Sequence, residues 1–305
     1  MRFVDIMILT VKFYLLEAFQ ELAAAHFDPR QHFMSDIPRL TNYDLRDEIK
    51  AYWSQRAATF DQSPGHEIFS EEERAAWHRL IVKHLGRGDG RLALDLASGT
   101  GVISHLMDDL GFKVTGLDWA EPMLERARNK AKIRTRNITF RIGDAENTME
   151  PDNHYDAIVN RHLVWTLVDP AKAFGEWLRV LKPGGTLLVI DGDFVNTTVV
   201  ERILSKLSGW GQRYGLLKRD PLHAPPGMME THRSILSQVY FSQGARAETV
   251  ASLLGEAGFE NVIIDTDLGE IHRTQAKNWN VLKGMARKSQ HRYAIRAIKP
   301  VHGSM

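Results

Sequence analysis

From Asp44 onward the apolar positions alternate between helical stripes and short buried runs. Leu45, Ile49, Tyr52, Trp53, Ala57 and Phe60 predict a helix that closes at a Ser63-Pro64-Gly65-His66 turn, and a second stripe through Trp77, Leu80, Ile81 and Leu85 stops at Gly86. An apolar strand at Leu94–Leu96 is followed by a helix carrying Val102, Leu106 and Leu110, with Gly111 at its C-cap. The same alternation continues through strands at Lys113–Leu117 and Ile138–Arg141, joined by a helix with Pro122 in its first turn. Continuous apolar runs at Ala157–Val159 and Thr186–Ile190 predict buried parallel strands around a helix with Ala173, Phe174, Trp177, Leu178 and Leu181 on one face. Beyond them the pattern predicts a helix over 248–257, a strand over 259–264, a helix over 276–286 and a last strand over 293–298. These seven strands alternating with helices predict an α/β fold, doubly wound and Rossmann-like, with no internal repeat and no linker that would divide it.

The chemistry concentrates at strand ends. Leu94-Asp95-Leu96-Ala97-Ser98-Gly99-Thr100-Gly101 runs from a strand through a glycine-rich turn into a helix. The turn lets a ligand lie against bare backbone, and the helix start offers unpaired N–H groups. Alone this signal is weak, because a glycine pair closes many strand-to-helix connections. The next strand ends in Asp118, about 20 residues on, where a doubly wound fold places a carboxylate for ribose hydroxyls.

These elements, together with Trp119, Gly143-Asp144-Ala145, Tyr155–Asn160 and Leu181-Lys182-Pro183-Gly184-Gly185, resemble the class I S-adenosylmethionine-dependent methyltransferases, in particular the small-molecule enzymes of the ubiquinone-biosynthesis type. The likeness is close from Arg91 to Asp193 and looser from Tyr43 onward. It implies S-adenosyl-L-methionine as cofactor and an antiparallel last strand. Asp118 would hold the ribose, Trp119 would flank the adenine and Asp144 would accept from the adenine amino group, with Asp95, Ala97, Gly99, Gly101, Ala145 and Asn160 completing the cofactor site. The family has glycine where Ala97 stands, a small replacement expected to leave the cofactor bound.

Composition narrows the substrate. At 305 residues the chain can form one large domain with a cap, and 39 basic against 38 acidic residues lack the excess expected of a protein that tracks nucleic acid. Absence of cysteine removes disulfides and thiolate metal sites and is compatible with the cytoplasm. The apolar segment from Met1 to Phe27 is interrupted by Asp5, Lys12, Glu17 and Glu21, so no uncharged run approaches the length of about 18 needed to span a membrane. It reads as an amphipathic helix packed on the domain or on a second copy, which would make a homodimer, or lying on a membrane surface. A start resembling the family's at Met34-Ser-Asp-Ile-Pro marks the preceding residues as an extension. The expected organisation is an N-terminal extension over 1–42 and a methyltransferase domain over 43–305. The latter comprises lid helices (43–90), a cofactor core (91–191), a helical cap inserted over 192–244 and a C-terminal part of the sheet (245–305).

Polar residues at the end of an apolar strand require a reason, and Asn160, Arg161 and His162 follow such a strand. His162 has the ordinary pKa of a general base near neutrality, or else is a satisfied histidine at a helix junction; Arg161 would orient an anionic substrate. The lid contributes Tyr52, Arg56 and His66, although Tyr52, Trp53 and Phe60 also read as the buried face of their helix. Trp165 would cover the cofactor or belong to the core. In the cap, Trp210, Tyr214, His232 and Tyr240, with Arg213, His223 and Arg233 beside them, are candidates for substrate contact, and the histidine spacing does not form a metal motif. The expected function is methyl transfer to a small-molecule acceptor at an O, N, S or C nucleophile. Two rivals are weighed against it. A nicotinamide-dependent oxidoreductase would need a third fingerprint glycine where Ser104 stands, and a non-catalytic cofactor-binding module would keep the pocket without turnover.

Overall fold

The computed structural model describes residues Asp44–Leu217 and Gly227–Val301. The 1–42 extension, its amphipathic helix and His223 therefore lie outside the described residues. Seven strands form one sheet in the order β3-β2-β1-β4-β5-β7-β6. They are β1 (Leu92–Leu96), β2 (Lys113–Asp118), β3 (Thr139–Ile142), β4 (Tyr155–Arg161), β5 (Leu181–Asp193), β6 (Glu260–Asp265) and β7 (His291–Ile298). The pairs β1/β2, β2/β3, β1/β4 and β4/β5 are parallel, whereas β7 runs antiparallel to both β5 and β6, as the resemblance implied. Strand order reverses between β1 and β4, so a crevice opens beyond their carboxyl ends.

Both faces of the sheet are covered, which is why its central strands read as unbroken apolar runs. Leu94, Leu96, Ile158, Leu187 and Val189 pack on Phe174 and Trp177 of the helix Pro170–Val180 and on Leu254 of the helix Ala247–Glu256. On the other face, Ala93, Ala157, Val159 and Leu188 meet Trp77 and Ile81 of the helix Glu71–Leu85 and Leu106 of the helix Val102–Asp109. Trp177 also donates its indole N–H to the Ala145 carbonyl at 2.8 Å, so the core holds the loop after β3 in place.

The lid begins with α1 (Leu45–Arg56), which starts in a capping box between Asp44 and Asp47 and continues as a 3₁₀ turn over Ala57–Gln62. Its Ile49 and Tyr52 pack against Met228, Ile235 and Val239, from the cap helix Met228–Gln238 and the residue after it. The preceding cap helix spans Val199–Arg213. Three local expectations change. The single helix over 276–286 is two, Gly269–Ala276 and Val281–Lys288, because Asn280 caps the second by accepting from the Lys283 N–H at 3.0 Å. The helix of the lid tightens after Arg56 instead of running on to Phe60. Finally, the strand expected over Thr186–Ile190 begins at Leu181, which leaves the helix face it was expected on, and its register with β4 shifts between Tyr155↔Leu181 and Ala157↔Thr186.

Candidate active site

At the end of β1 the chain turns through two left-handed residues, Ala97 at φ +52° and Gly99 at φ +55°. Alanine tolerates this conformation at a cost of about 1 kcal/mol, which accounts for the glycine found there in the family pattern. A side chain at Gly99 would meet only the edge of Phe60, at 4.0 Å, so the turn leaves space above it. Gly101, at φ +81°, is different: a Cβ there would lie 2.9 Å from the Phe140 ring and 3.2 Å from Ala127, so this glycine serves the packing of helix on sheet.

Three carboxylates surround the turn. Asp118 accepts the Gly99 N–H at 2.9 Å and the Ala120 N–H at 2.8 Å, and burial pushes its pKa up to about 6 against those hydrogen bonds. Asp95 accepts from Ser104 Oγ at 2.5 Å, and burial pushes it up to about 7. Asp144 accepts the Glu146 N–H at 2.8 Å and is likewise raised by burial. Glu146 in turn pairs with Arg46 of the lid and accepts the Val168 N–H at 2.7 Å, tying the lid to the loop after β4.

Above these groups lies a cavity of 390 Å³, within the range of small-molecule sites. Asp95, Ala97, Gly99, Asp118, Trp119, Asp144 and Ala145 all line it. Gly101 sits beneath the wall and Asn160 is sealed off: its amide is fully buried, finds no hydrogen-bond partner and does not face the cavity. Alternation along β4 puts its side chain on the same face as Ile158, so Asn160, expected at the cofactor, is not among the residues that line the cavity. Tyr52, Arg56, His66 and His232 line the cavity, joined by Trp53, Phe60 and Trp165. Trp165 stands 5.4 Å from the His232 ring and 6.3 Å from that of Trp53, so it is both core and wall. Trp210, Tyr214 and Tyr240 lie away from it: each is about half exposed or more, and the Trp210 and Tyr214 rings pack on each other at a tilt, 4.9 Å between centroids. Helical spacing could not say which side of the cap faces inward; Arg213 and Arg233 are exposed as well.

His162 and Arg161 reach the cavity from the end of β4. His162 adopts a left-handed conformation, φ +59°, and donates its backbone N–H to the Ile190 carbonyl at 3.0 Å. Its Nδ1 lies 3.9 Å from Asp191 Oδ1, and its ring is 5.3 Å from Phe194. Burial, with Arg292 and Arg161 nearby, holds the imidazole well below the ordinary histidine range, so it is neutral at pH 7. Arg161 donates to the carbonyls of Gly65 and His66 at 3.2 and 3.3 Å, fastening the lid turn to the sheet. His66 stacks on Phe60 at 4.3 Å, and burial pushes it down to about 3.

Phe194, Arg287, Gln290 and Arg292 are among the lining residues that sequence alone did not single out. The signal was faint, a run of basic residues before the last strand that reads equally as a solvated helix end. Among the described residues no group of three His, Cys, Asp or Glu could hold a metal ion, and no helix is long and apolar enough to cross a membrane.

The family described as "Methyltransferase domain" matches residues 94–189. The chain is 32% identical to the ubiquinone/menaquinone biosynthesis C-methyltransferase UbiE of Bdellovibrio bacteriovorus over 181 residues, 56% of this chain and 76% of that protein. It is 34% identical over 145 residues to the demethylmenaquinone methyltransferase of Renibacterium salmoninarum, spanning 48% of this chain and only 59% of that relative's length. A Haemonchus contortus phosphoethanolamine N-methyltransferase superposes with a TM-score of 0.57 at 17% identity, covering 84% of this chain and 60% of that one. The glycine turn, the buried acids and the sheet order thus stand beside a relative matched over most of its own length, and the chain belongs to the class I S-adenosylmethionine-dependent methyltransferases.

Proposed function

We propose that the protein binds S-adenosylmethionine across the β1 turn and transfers its methyl group to a small molecule held beside His162. The observation that carries this reading is the continuity of one cavity, from Gly99 and Asp118 at one end to His162 and Phe194 at the other. The residues present fit the cofactor. Gly99 leaves room for a ligand, Asp118 offers remaining lone pairs to ribose hydroxyls, Trp119 and Ala145 supply apolar flanks for adenine, and Asp144 can accept from its amino group. Aromatic rings of Trp53, Phe60 and Trp165 give a sulfonium the face it favours.

The bound cofactor supplies an electrophilic methyl group, so the protein's own work is alignment and proton removal. His162 is neutral and can take a proton from the acceptor as the new bond to carbon forms and the sulfonium carbon–sulfur bond breaks. Trp165 and Phe194 pack edge to face and both line the cavity, an aromatic wall that suits an acceptor carrying a flat ring, the class to which the quinones in the relatives' names belong. Lack of cysteine and near-balanced charge support a cytoplasmic enzyme acting on such a molecule over one acting on a polyanion.

The test is a screen with methyl-labelled cofactor and cell extract, followed by identification of the labelled metabolite. A labelled small molecule is expected; cofactor binding without transfer to any extract component would favour a binding module instead. With the acceptor in hand, His162→Ala should lower kcat by about 10²-fold with little change in cofactor affinity. A loss below tenfold would make His162 a positioning residue.

A further inference from the structure

Three arginines that no other step uses converge on the His162 end of the cavity. Arg161 comes from β4, Arg287 from the last turn of the helix Val281–Lys288, and Arg292 from the start of β7. Two of them meet at Gly65: Arg161 Nη1 is 3.2 Å from its carbonyl, and Arg287 Nη2 lies 2.8 Å from where a Cβ on this glycine would be, with Gln275 Oε1, an acceptor for Arg292, 3.5 Å from the same point. Every acceptor they find is neutral. Arg161 bonds two backbone carbonyls, and Arg292 donates to Gln290 Oε1 at 3.1 Å and to Gln275 Oε1 at 3.4 Å. Arg287 lies over the Trp279 ring at 5.4 Å, and its buried Nε has no acceptor.

The acids nearby, Asp95 beside Arg161 among them, make no ion pair with them. Among the described residues no carboxylate oxygen comes within 4 Å of any of the three, the ion pairs of the molecule being made elsewhere. Asp191 is occupied by the N–H groups of Val164 and Gly192, both within 2.9 Å. Glu73 accepts from Phe69 N and Gln275 Nε2, and Glu201 from Gln290 Nε2. Arg287 and Arg292 are lowered from the ordinary arginine range, by burial first, and the same positive field helps hold His66 and His162 neutral. Recessed like charges without counter-ions are costly in a folded protein and are kept where a ligand supplies the missing charge.

We propose that Arg161, Arg287 and Arg292 bind an oxyanion, a carboxylate or a phosphate, carried by the methyl acceptor, and so fix its reactive atom beside His162. This rests on the methyl-transfer reading above and adds the acceptor's charge. Planar guanidinium forks match both oxyanions. A carboxylate could also come from the methionine part of the cofactor, so the experiment separates the two sources.

The full-length protein is titrated calorimetrically with 4-hydroxybenzoate, inorganic phosphate and the neutral 4-hydroxybenzamide, with and without saturating S-adenosylhomocysteine. Either anion is expected to bind about tenfold or more tightly than the amide, and to do so in the presence of S-adenosylhomocysteine. Which anion binds more tightly identifies the oxyanion. Arg287→Met should raise the melting temperature of the ligand-free protein by removing an unpaired cation. It should also weaken the preferred anion about tenfold while leaving S-adenosylhomocysteine affinity unchanged; Arg292→Met is read the same way if the first variant folds poorly. Equal binding of benzoate and benzamide with no response to phosphate overturns the proposal. So does competition between the anion and S-adenosylhomocysteine, which would assign the arginines to the cofactor, and so does a variant that melts lower with anion affinity intact. Failure of S-adenosylhomocysteine itself to bind overturns the methyl-transfer reading, and the wild-type anion titration distinguishes the two failures.

Discussion

Asp118 is buried at the wall of the cavity and held by two backbone N–H groups, and this sets its response to both mutation and pH. Asp118→Ala should weaken S-adenosylhomocysteine binding by about 1.5–3 kcal/mol, measured by calorimetry, because charge-assisted hydrogen bonds to the ribose are lost. The ionised carboxylate is the form that accepts from hydroxyls. Its pKa is raised to about 6, so affinity should be level above that pH and fall as pH drops through it, approaching tenfold per unit once the group is protonated. Proton release on binding near pH 6, visible as a dependence on buffer ionisation heat, checks the sign. Affinity that stays constant down to pH 5 would remove Asp118 from the ribose site. The two turn glycines should separate in the same assay. Gly99→Val should abolish cofactor binding with the circular dichroism retained, since its side chain would enter open space. Gly101→Val should unfold or strongly destabilise the protein, since its side chain would enter the Phe140 ring.

Among the elements, the lid is tied to the rest of the domain by polar contacts as well as by the packing of Ile49, Tyr52 and Ala57. Arg46 pairs with Glu146, Arg161 holds Gly65 and His66, and Asp61 accepts from Thr100 and pairs with Lys130 at 2.9 Å. Arg46 and Lys130 keep a partly exposed side in these pairs, so water can take over their hydrogen bonds as the segment opens to admit ligand. Hydrogen exchange should show residues 44–66 gaining protection on addition of S-adenosylhomocysteine, by more than the helix Pro170–Val180, whose Phe174 and Trp177 are fully buried in the core. Equal protection with and without ligand would make the lid a fixed wall and leave the cap helices as the moving part. The helix break at Asn280 belongs to this scale too. It places Arg287 in the last turn of a short, separately capped helix, and one unbroken helix from Ala276 would present that side chain in a different direction.

For the whole molecule, what was legible in the chain and what was not divides along a physical line. Strand and helix order, the glycine turn and Asp118 at a strand end follow from periodicity and spacing, and the Gly143-Asp144-Ala145 loop from the family resemblance, so a linear pattern carries them. Cofactor recognition of this type uses backbone and one or two acids at strand ends, which lie close together in sequence as well as in space. The His162 end of the cavity is built otherwise. Gly65, Arg161, Arg287 and Arg292 come from the lid, β4, a C-terminal helix and β7, and only the antiparallel return of β7 beside β5 brings them to one wall. Burial decided the remainder: Asn160 turned inward and Trp210, Tyr214 and Tyr240 outward, although all carry groups able to bind a ligand. Local residue types thus determined the fold class and the cofactor's cradle. Which charges stand unpaired in the cavity was settled by tertiary packing, because a side chain's partners depend on distances that sequence separation does not encode.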